Sequence, residues 1–418
     1  MKERDTLARW WARATGSWQL ERLAALDAKV GKFGREQHEA LAEQRRLLEQ
    51  IRAEVAGKAG TGAVKELRRQ VEHLQTSLIQ QDRAIADALE RARVLDEQGV
   101  DDRRFARRIE QFLKHDRPIV VGPWTGEVGF ELLYWVPFVR WVVRTYQLPL
   151  DRLIVVSRGG SAPWYGDLAR RYVDIFSLVS VDDFRAATEE AKKQRLVGAF
   201  DARLVERVIG HLGLDRPALL HPGMMYRLFM PYWKDQATAA RIDAYTAYEP
   251  IGRVEDPAVE GLPKDYVAAR FYFSECFPDL PANRAFVTET LETIGRQMPV
   301  VLLDTPFAVD DHRDAATAAR HIVSIAGRMT PERNLAVQTA VIGGARAFVG
   351  TYGGYSYLAP LCGVPSLAFY SARTYKAHHL HMADRVFERF GGAGLVPLDV
   401  AALPLVRLAL AGVTAATR

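Results

Sequence analysis

One pattern limits what this chain can fold into more than any other. Short apolar runs bounded by turn residues alternate with glycine-bearing loops and apolar helices, and the alternation occurs twice. Pro118-Ile-Val-Val-Gly122 reads as a buried strand. Pro123-Trp-Thr-Gly-Glu-Val-Gly129 follows as a loop, and Phe130 to Arg144 as an apolar helix. Arg152-Leu-Ile-Val-Val-Ser157 is the next strand, followed by Arg158-Gly-Gly160 and a helix carrying Leu168, Tyr172 and Ile175. A polar, aromatic stretch over 220–262 interrupts the pattern and reads as the approach to an interdomain linker. The pattern then restarts, with strands at Tyr266–Tyr272, Pro299–Leu303, Ala347–Gly350 and Ser366–Tyr370. Helices are expected from Ala285 to Met298 and from Tyr355 to Cys362. Strands alternating with helices imply parallel sheets covered on both faces. In such folds ligands bind beyond the carboxyl ends of the strands, so the loops there are where chemistry belongs.

The residues before this pattern are a different material. Residues 1–116 carry 23 Lys and Arg and 20 Asp and Glu, about 37% charged, against about 21% for the other 302 of 418. Leu20, Leu23, Val30, Leu41, Leu48, Ile51 and Val55 keep a spacing of three and four, with Gln37 and Gln44 in the same register. Such a seam must be covered by another helix. Gly57-Lys-Ala-Gly-Thr-Gly62 breaks the helix, and a second seam follows at Val64, Leu67, Val71, Leu74, Leu78 and Ile85. A helical hairpin and a parallel dimeric coiled coil both satisfy these seams. A third helix over about Asp101 to Lys114 leads into the body. Three tryptophans in Thr6–Trp18, interleaved with arginines, suit either an interfacial membrane anchor or a cap on the helices.

Composition excludes several classes. Two cysteines, Cys276 and Cys362, make neither a disulfide framework nor a four-thiolate metal site, which points to a reducing compartment. No apolar run is long enough to span a bilayer, and no secretory leader is evident. The net charge of +5 comes without a dense basic run, so no nucleic-acid partner is expected.

Three loops could carry chemistry. In the first, Thr125-Gly-Glu-Val-Gly-Phe-Glu131, Gly126 and Gly129 admit a ligand close to the backbone, and Glu127 or Glu131 could act as general base. The alternative is that both carboxylates merely favour a helix N-terminus. The second is Arg270, inside an apolar strand near its carboxyl end, suited to phosphate or paired to Glu275. The third begins at Gly327 and Arg328, with Thr330 and Pro331 opening a helix that carries Asn334 and Gln338 one turn apart. After the next strand, Thr351-Tyr-Gly-Gly354 precedes another helix, an arrangement suited to an anion. Arg158 follows the strand Arg152–Ser157, and His221, in Leu-His-Pro-Gly of the interdomain stretch, could serve an acceptor or a donor through a neutral imidazole. Asp310-Asp311-His312 reads as a solvated loop rather than a metal site, and His378, His379 and His381 as an exposed helix face.

Gly354-Tyr-Ser-Tyr-Leu-Ala-Pro-Leu-Cys-Gly-Val-Pro365 resembles the glycine turn, helix and strand signature of the heptosyltransferase-like GT-B glycosyltransferases, matching at Leu358, Ala359, Gly363 and Pro365. Tyr357, Tyr352 and Gly353 stand where that signature has His, Asp and Ser or Thr. The resemblance implies an α/β fold of two Rossmann-like domains, preceded here by the helical hairpin or coiled coil. The expected boundaries are 1–116 helical, 117–262 for the acceptor domain and 263–418 for the nucleotide-sugar domain. It implies a nucleotide-sugar donor, a saccharide or lipid-linked acceptor and no cofactor. On it, Arg270, Arg328, Asn334, Gln338, Thr351, Tyr352, Gly353 and Gly354 would hold the donor. Gly126, Gly129, Arg158 and His221 would face the acceptor or the cleft. No Asp-x-Asp occurs, and between Thr351 and Leu398 the only carboxylates are Asp384 and Glu388. Both absences suit an inverting, metal-independent transfer in bacterial surface polysaccharide or glycolipid synthesis. The expected setting is cytoplasmic, with peripheral membrane contact or oligomerisation through the helical front. A non-catalytic scaffold with a degenerate body, or a sugar-nucleotide epimerase, are the alternatives.

Overall fold

The computed structural model describes residues 39, 42–51, 53, 62–188, 194–307, 309, 313–314, 322–372 and 377–403. The Trp-rich segment at 6–18, the first seam up to Leu41, the glycine break over 57–61 and Asp310–His312 lie outside the described residues. The chain divides into two units, Met1–Arg107 and Arg108–Arg418.

In the first unit a helical segment over 42–51 precedes the long helix α1 (Gly62–Lys114), whose last residues belong to the second unit. Leu48 is buried in one small cluster with Val71 and Leu78, with Ile85 packed beside them. Two other seam positions, Ile51 and Leu74, remain exposed. α1 is continuous, so the separate third helix expected from Asp101 is its last part. Gly99 is the only glycine in its second half, and one glycine costs about 1 kcal/mol in a helix, too little to stop neighbours with high propensity.

The second unit holds two parallel sheets. The first contains β1 (Ile119–Val121), β2 (Leu153–Ser157), β3 (Tyr172–Asp174) and β4 (Ala218–Leu220), in the order β3-β2-β1-β4. β1 and β2 are buried throughout, as strands covered on both faces must be. Its helices include α2 (Val136–Tyr146), α3 (Ala199–Leu212) and α4 (Pro222–Trp233). The second sheet contains β5 (Val267–Arg270), β6 (Val300–Leu302), β7 (Ile322–Ser324), β8 (Ala347–Thr351), β9 (Ser366–Tyr370) and β10 (Leu395–Asp399). Its order is β10-β9-β8-β5-β6-β7. α5 (Pro281–Gly295), α6 (Asn334–Gly344), α7 (Gly354–Leu361) and α8 (Ala377–Phe390) belong to this half.

Two expectations are corrected. Tyr172 lies in β3 and not in a helix: the short helix Ala162–Tyr165 stops at Gly166, whose φ is 59°, and a single 3-10 turn, Gly166–Ala169, leads into the strand. Residues 222–233 are a largely buried helix, α4, so the stretch expected to approach the linker begins as part of the first half. His221 caps that helix: its Nδ1 accepts from Gly223 N at 3.0 Å.

Candidate active site

Each sheet has a point where the strand order reverses. In the first it lies between β1 and β4, and in the second between β5 and β8. Such switch points open a crevice at the carboxyl ends of the strands. The residues expected to carry chemistry gather at both. Gly126, Glu127 and Gly129 follow β1, and His221 follows β4. Arg270 ends β5, and Thr351 to Gly354 end β8.

The first loop is tightly built. Trp124 N donates to Val156 O at 2.9 Å, which ties the loop to β2. Thr125 N donates to Gln194 Oε1 at 2.9 Å, and Gln194 Nε2 donates to Pro123 O and to Asp201 Oδ1, both at 2.8 Å. His221 Nε2 is 3.2 Å from Asp201 Oδ2, so His221 supports this loop from below and is itself buried. After the loop, Val128–Phe130 turn into a helix that passes through one π turn, Glu131–Trp135, before α2. Such turns recur at functional sites because they rotate side chains out of the ordinary helical register.

The two loop carboxylates have opposite surroundings. Glu127 is exposed at the mouth of the loop. Its charge is felt by Tyr226 in the first half and Tyr272 in the second, whose hydroxyls are raised chiefly by burial. Glu131 is 0% exposed. Its Oε1 accepts from Ser157 Oγ at 2.6 Å, Tyr165 OH at 2.7 Å and Ser161 Oγ at 3.3 Å. Its Oε2 has no hydrogen-bond partner among the described residues. Burial pushes the carboxyl up to about 7, against the opposing pull of those hydroxyls and of Arg158.

Ser157 and Ser161 bracket the turn at the end of β2. Arg158 in that turn is buried, and its Nη2 donates to Gly126 O at 3.0 Å. Gly159 O accepts from Leu335 N at 2.7 Å and Ala336 N at 3.1 Å. The β2 turn therefore occupies the first amides of α6. At Gly159, φ is +66° and an added Cβ would meet the Leu335 side chain at 2.8 Å, so only glycine fits there. Asp174 Oδ2 holds Gly160 N at 2.7 Å, and burial raises that carboxyl to about 6.

On the second sheet Arg270 is 6% exposed. Its guanidinium donates to Gln338 Oε1 and lies 4.1 Å from the Tyr355 ring centre. Gln338 and Asn334 are both buried, Gln338 Nε2 donating to Asn334 O at 3.1 Å and Asn334 Nδ2 to Pro331 O at 2.8 Å. Thr351 Oγ1 is taken up by the backbone just after β5, accepting from Tyr272 N at 3.0 Å and donating to Tyr272 O at 2.9 Å. Tyr357 OH donates to Tyr352 OH at 2.7 Å. Arg328 stands apart from this group, its Nη1 donating to Ala258 O and Glu260 O, each at 2.7 Å.

The two loops meet. A Cβ added at Gly129 would lie 3.3 Å from the Tyr357 ring and 3.4 Å from Gly354 Cα. One added at Gly354 would lie 2.8 Å from Gly129 N. α8 also reaches the first half, where His379 Nδ1 is 2.7 Å from Tyr134 OH and its ring centre 4.7 Å from that of Phe130. His378 pairs with Asp235 at 2.7 Å. These two histidines are thus half-buried contacts rather than an exposed face, and His381 alone is exposed.

Sequence reasoning missed Ser157, Ser161, Tyr165, Gln194, Asp201 and Tyr355. Tyr355 had a signal, since it directly follows the glycine pair before α7. The others are lone polar residues at distances in the chain that no local pattern marks.

No family model matches this chain, and no curated protein matches it. Among solved structures it is similar to the iron-containing dodecameric glycosyltransferase TibC from enterotoxigenic Escherichia coli H10407, at 15% identity and a TM-score of 0.36, over 61% of this chain. The match spans about three-fifths, 58%, of that protein's length. It is also similar to a protein from Listeria monocytogenes assigned as a UDP-N-acetylglucosamine 2-epimerase, at 12% identity and a TM-score of 0.30, over 67% of this chain and 92% of the other.

Proposed function

We propose that the chain is a GT-B glycosyltransferase that moves a sugar from a nucleotide donor to a saccharide or lipid-linked acceptor with inversion. One observation carries the reading. The switch points of two parallel sheets face each other through Gly129 and Gly354, with an exposed carboxylate on one side and a buried guanidinium on the other. Glu127 takes the proton of the acceptor hydroxyl, whose oxygen bonds to the anomeric carbon as the bond to the diphosphate breaks. The electron pair leaves on the diphosphate, next to Arg270 and the amides that open α7. Arg270 is poised for this because Gln338 and Tyr355 hold its guanidinium in one orientation. Glu131 supports the loop and does not serve as base, since it is enclosed by hydroxyls. The lack of an Asp-x-Asp motif favours a metal-independent route.

Release of nucleoside diphosphate from a panel of sugar nucleotides, with acceptor glycans present, tests the proposal. Glu127→Gln and Arg270→Ala should each abolish most of the release. Intact turnover in both variants would overturn the assigned roles. Binding of a sugar nucleotide without turnover by the native chain would instead favour the non-catalytic reading, which the Tyr352–Tyr357 pair supports by replacing the polar residues of the related signature.

A further inference from the structure

The base and the anion-binding group of the proposed site stand on different sheets, so something must register one against the other. Apolar packing is non-directional and fixes register poorly. Hydrogen bonds are directional, and one group of them runs from the first loop to the second sheet. It starts at Glu131 Oε1, which accepts from Ser157, Ser161 and Tyr165. The serines are the two posts of the β2 turn. On one side of the turn Arg158 donates to the carbonyl of Gly126, the residue before Glu127. On the other, Gly159 O takes the amides of Leu335 and Ala336, the second and third residues of α6. One turn further along α6, Gln338 holds Arg270.

We propose that Glu131 is the positioning residue of this site: its acceptor oxygen holds the β2 turn, which in turn sets the Glu127 loop against the helix that orients Arg270. The proposal rests on the glycosyl-transfer reading for its consequence in catalysis, but not for the clasp itself. Glu131 touches no reacting atom. What it supplies is one oxygen that three hydroxyls share, in a place closed to solvent.

The test compares two substitutions. Glu131→Gln keeps an acceptor oxygen of the same reach, and Glu131→Leu keeps the bulk and removes the acceptor. Amide hydrogen exchange is read at Leu335 and Ala336, with Phe348 to Thr351 in β8 as the internal reference. In Glu131→Leu the two α6 amides should exchange at least tenfold faster while the β8 amides keep their protection. In Glu131→Gln both sets should stay within threefold of the native chain. Where turnover is measurable, Glu131→Leu should lower kcat at least tenfold and leave KM for the sugar nucleotide within threefold, because the hydrogen bond between Arg270 and Gln338 lies wholly within the second half. Glu131→Gln should restore kcat. Unchanged exchange in a folded Glu131→Leu protein, or a rise shared equally by β8, would overturn the clasp. If Glu131→Leu does not fold, the Ser157→Ala, Ser161→Ala double variant decides the same question by the same exchange. A native chain without sugar-nucleotide turnover would refute the glycosyl-transfer reading, and the exchange result would still decide the clasp.

Discussion

Glu131 makes a sharp statement about stability and pH. Its carboxyl is pushed up to about 7 in the folded chain by burial, against an ordinary value of 4.5. Below 4.5 folded and unfolded chains both hold the proton. Between 4.5 and about 7 only the folded chain holds it, so each rise in pH favours unfolding. Above 7 the folded chain carries a buried charge and the whole cost is present. At about 1.36 kcal/mol per pH unit, that cost is about 3 kcal/mol. Glu131→Gln removes the titration and keeps the acceptor for Ser157, Ser161 and Tyr165. Its stability should therefore fall less than the native chain's between pH 5 and pH 8, by about 2–3 kcal/mol. A slope from Asp174, raised to about 6 by burial, remains in both proteins. Denaturant unfolding followed by tryptophan fluorescence is a direct assay, because Trp124, Trp135 and Trp164 are buried in this unit. Parallel stability curves for native and variant chains would refute the reasoning, since they would mean that the carboxyl is solvated or titrates at its ordinary value.

Further perturbations separate chemistry from architecture. Glu127→Gln should lower turnover by about 10²–10⁴ without moving Tm, because the side chain is exposed, and a steady-state assay beside a melting curve reads both. Gly354→Ala would set a methyl 2.8 Å from Gly129 N and 2.9 Å from Val128 Cβ, so it should cost about 1–3 kcal/mol and weaken sugar-nucleotide binding in calorimetry. Gly327→Ala is its control: nothing lies within 4 Å of the added Cβ, and neither Tm nor binding should change. Trp164→Phe removes the Nε1 bond to Thr339 Oγ1 at 2.9 Å between the two halves and leaves a smaller ring, at a cost of about 2 kcal/mol by denaturant titration.

The parallel sheets were legible because their strands are continuous apolar runs. Ser366–Tyr370 is a strand over the span its residues announce, and Ala347–Gly350 extends by only one residue. β3 was not, since its three residues are too few to show a period of two. Leu168, Tyr172 and Ile175 are spaced by four and three, which imitates a helix face. β4 and β10 went unread for the same shortness or for the proline inside them. The strand ends placed Arg270 and the Gly353–Gly354 loop, because a switch point follows from strand order and a strand end is local. Depth was not legible. Asn334 and Gln338, one turn apart on their helix, gave no sign in the chain of being buried, and they are, since their helix is packed on the β2 turn as well as against Arg270.

The same limit explains Glu131. It stands four residues after Glu127 in one short glycine-bearing segment, Glu127 on the loop and Glu131 at the helix start, so local sequence offers either as the base. Their surroundings are set by Ser157, Ser161 and Tyr165, which lie 26, 30 and 34 residues further on. Those residues acquire their meaning only when β2 pairs with β1, Ile119 against Leu153 through Val121 against Val155. That register carries the end of β2 beside the start of the helix that follows β1, and the π turn at Glu131–Trp135 places the carboxylate in the junction. A charge in such a place is costly unless hydrogen bonds meet it, and here three meet one oxygen while the other has none. An apolar residue of equal size would remove the cost of the buried charge and would leave three hydroxyls, and through them the β2 turn, without a common acceptor. The energetic penalty at Glu131 and the fixed approach of Gly159 to α6 are therefore two consequences of one arrangement.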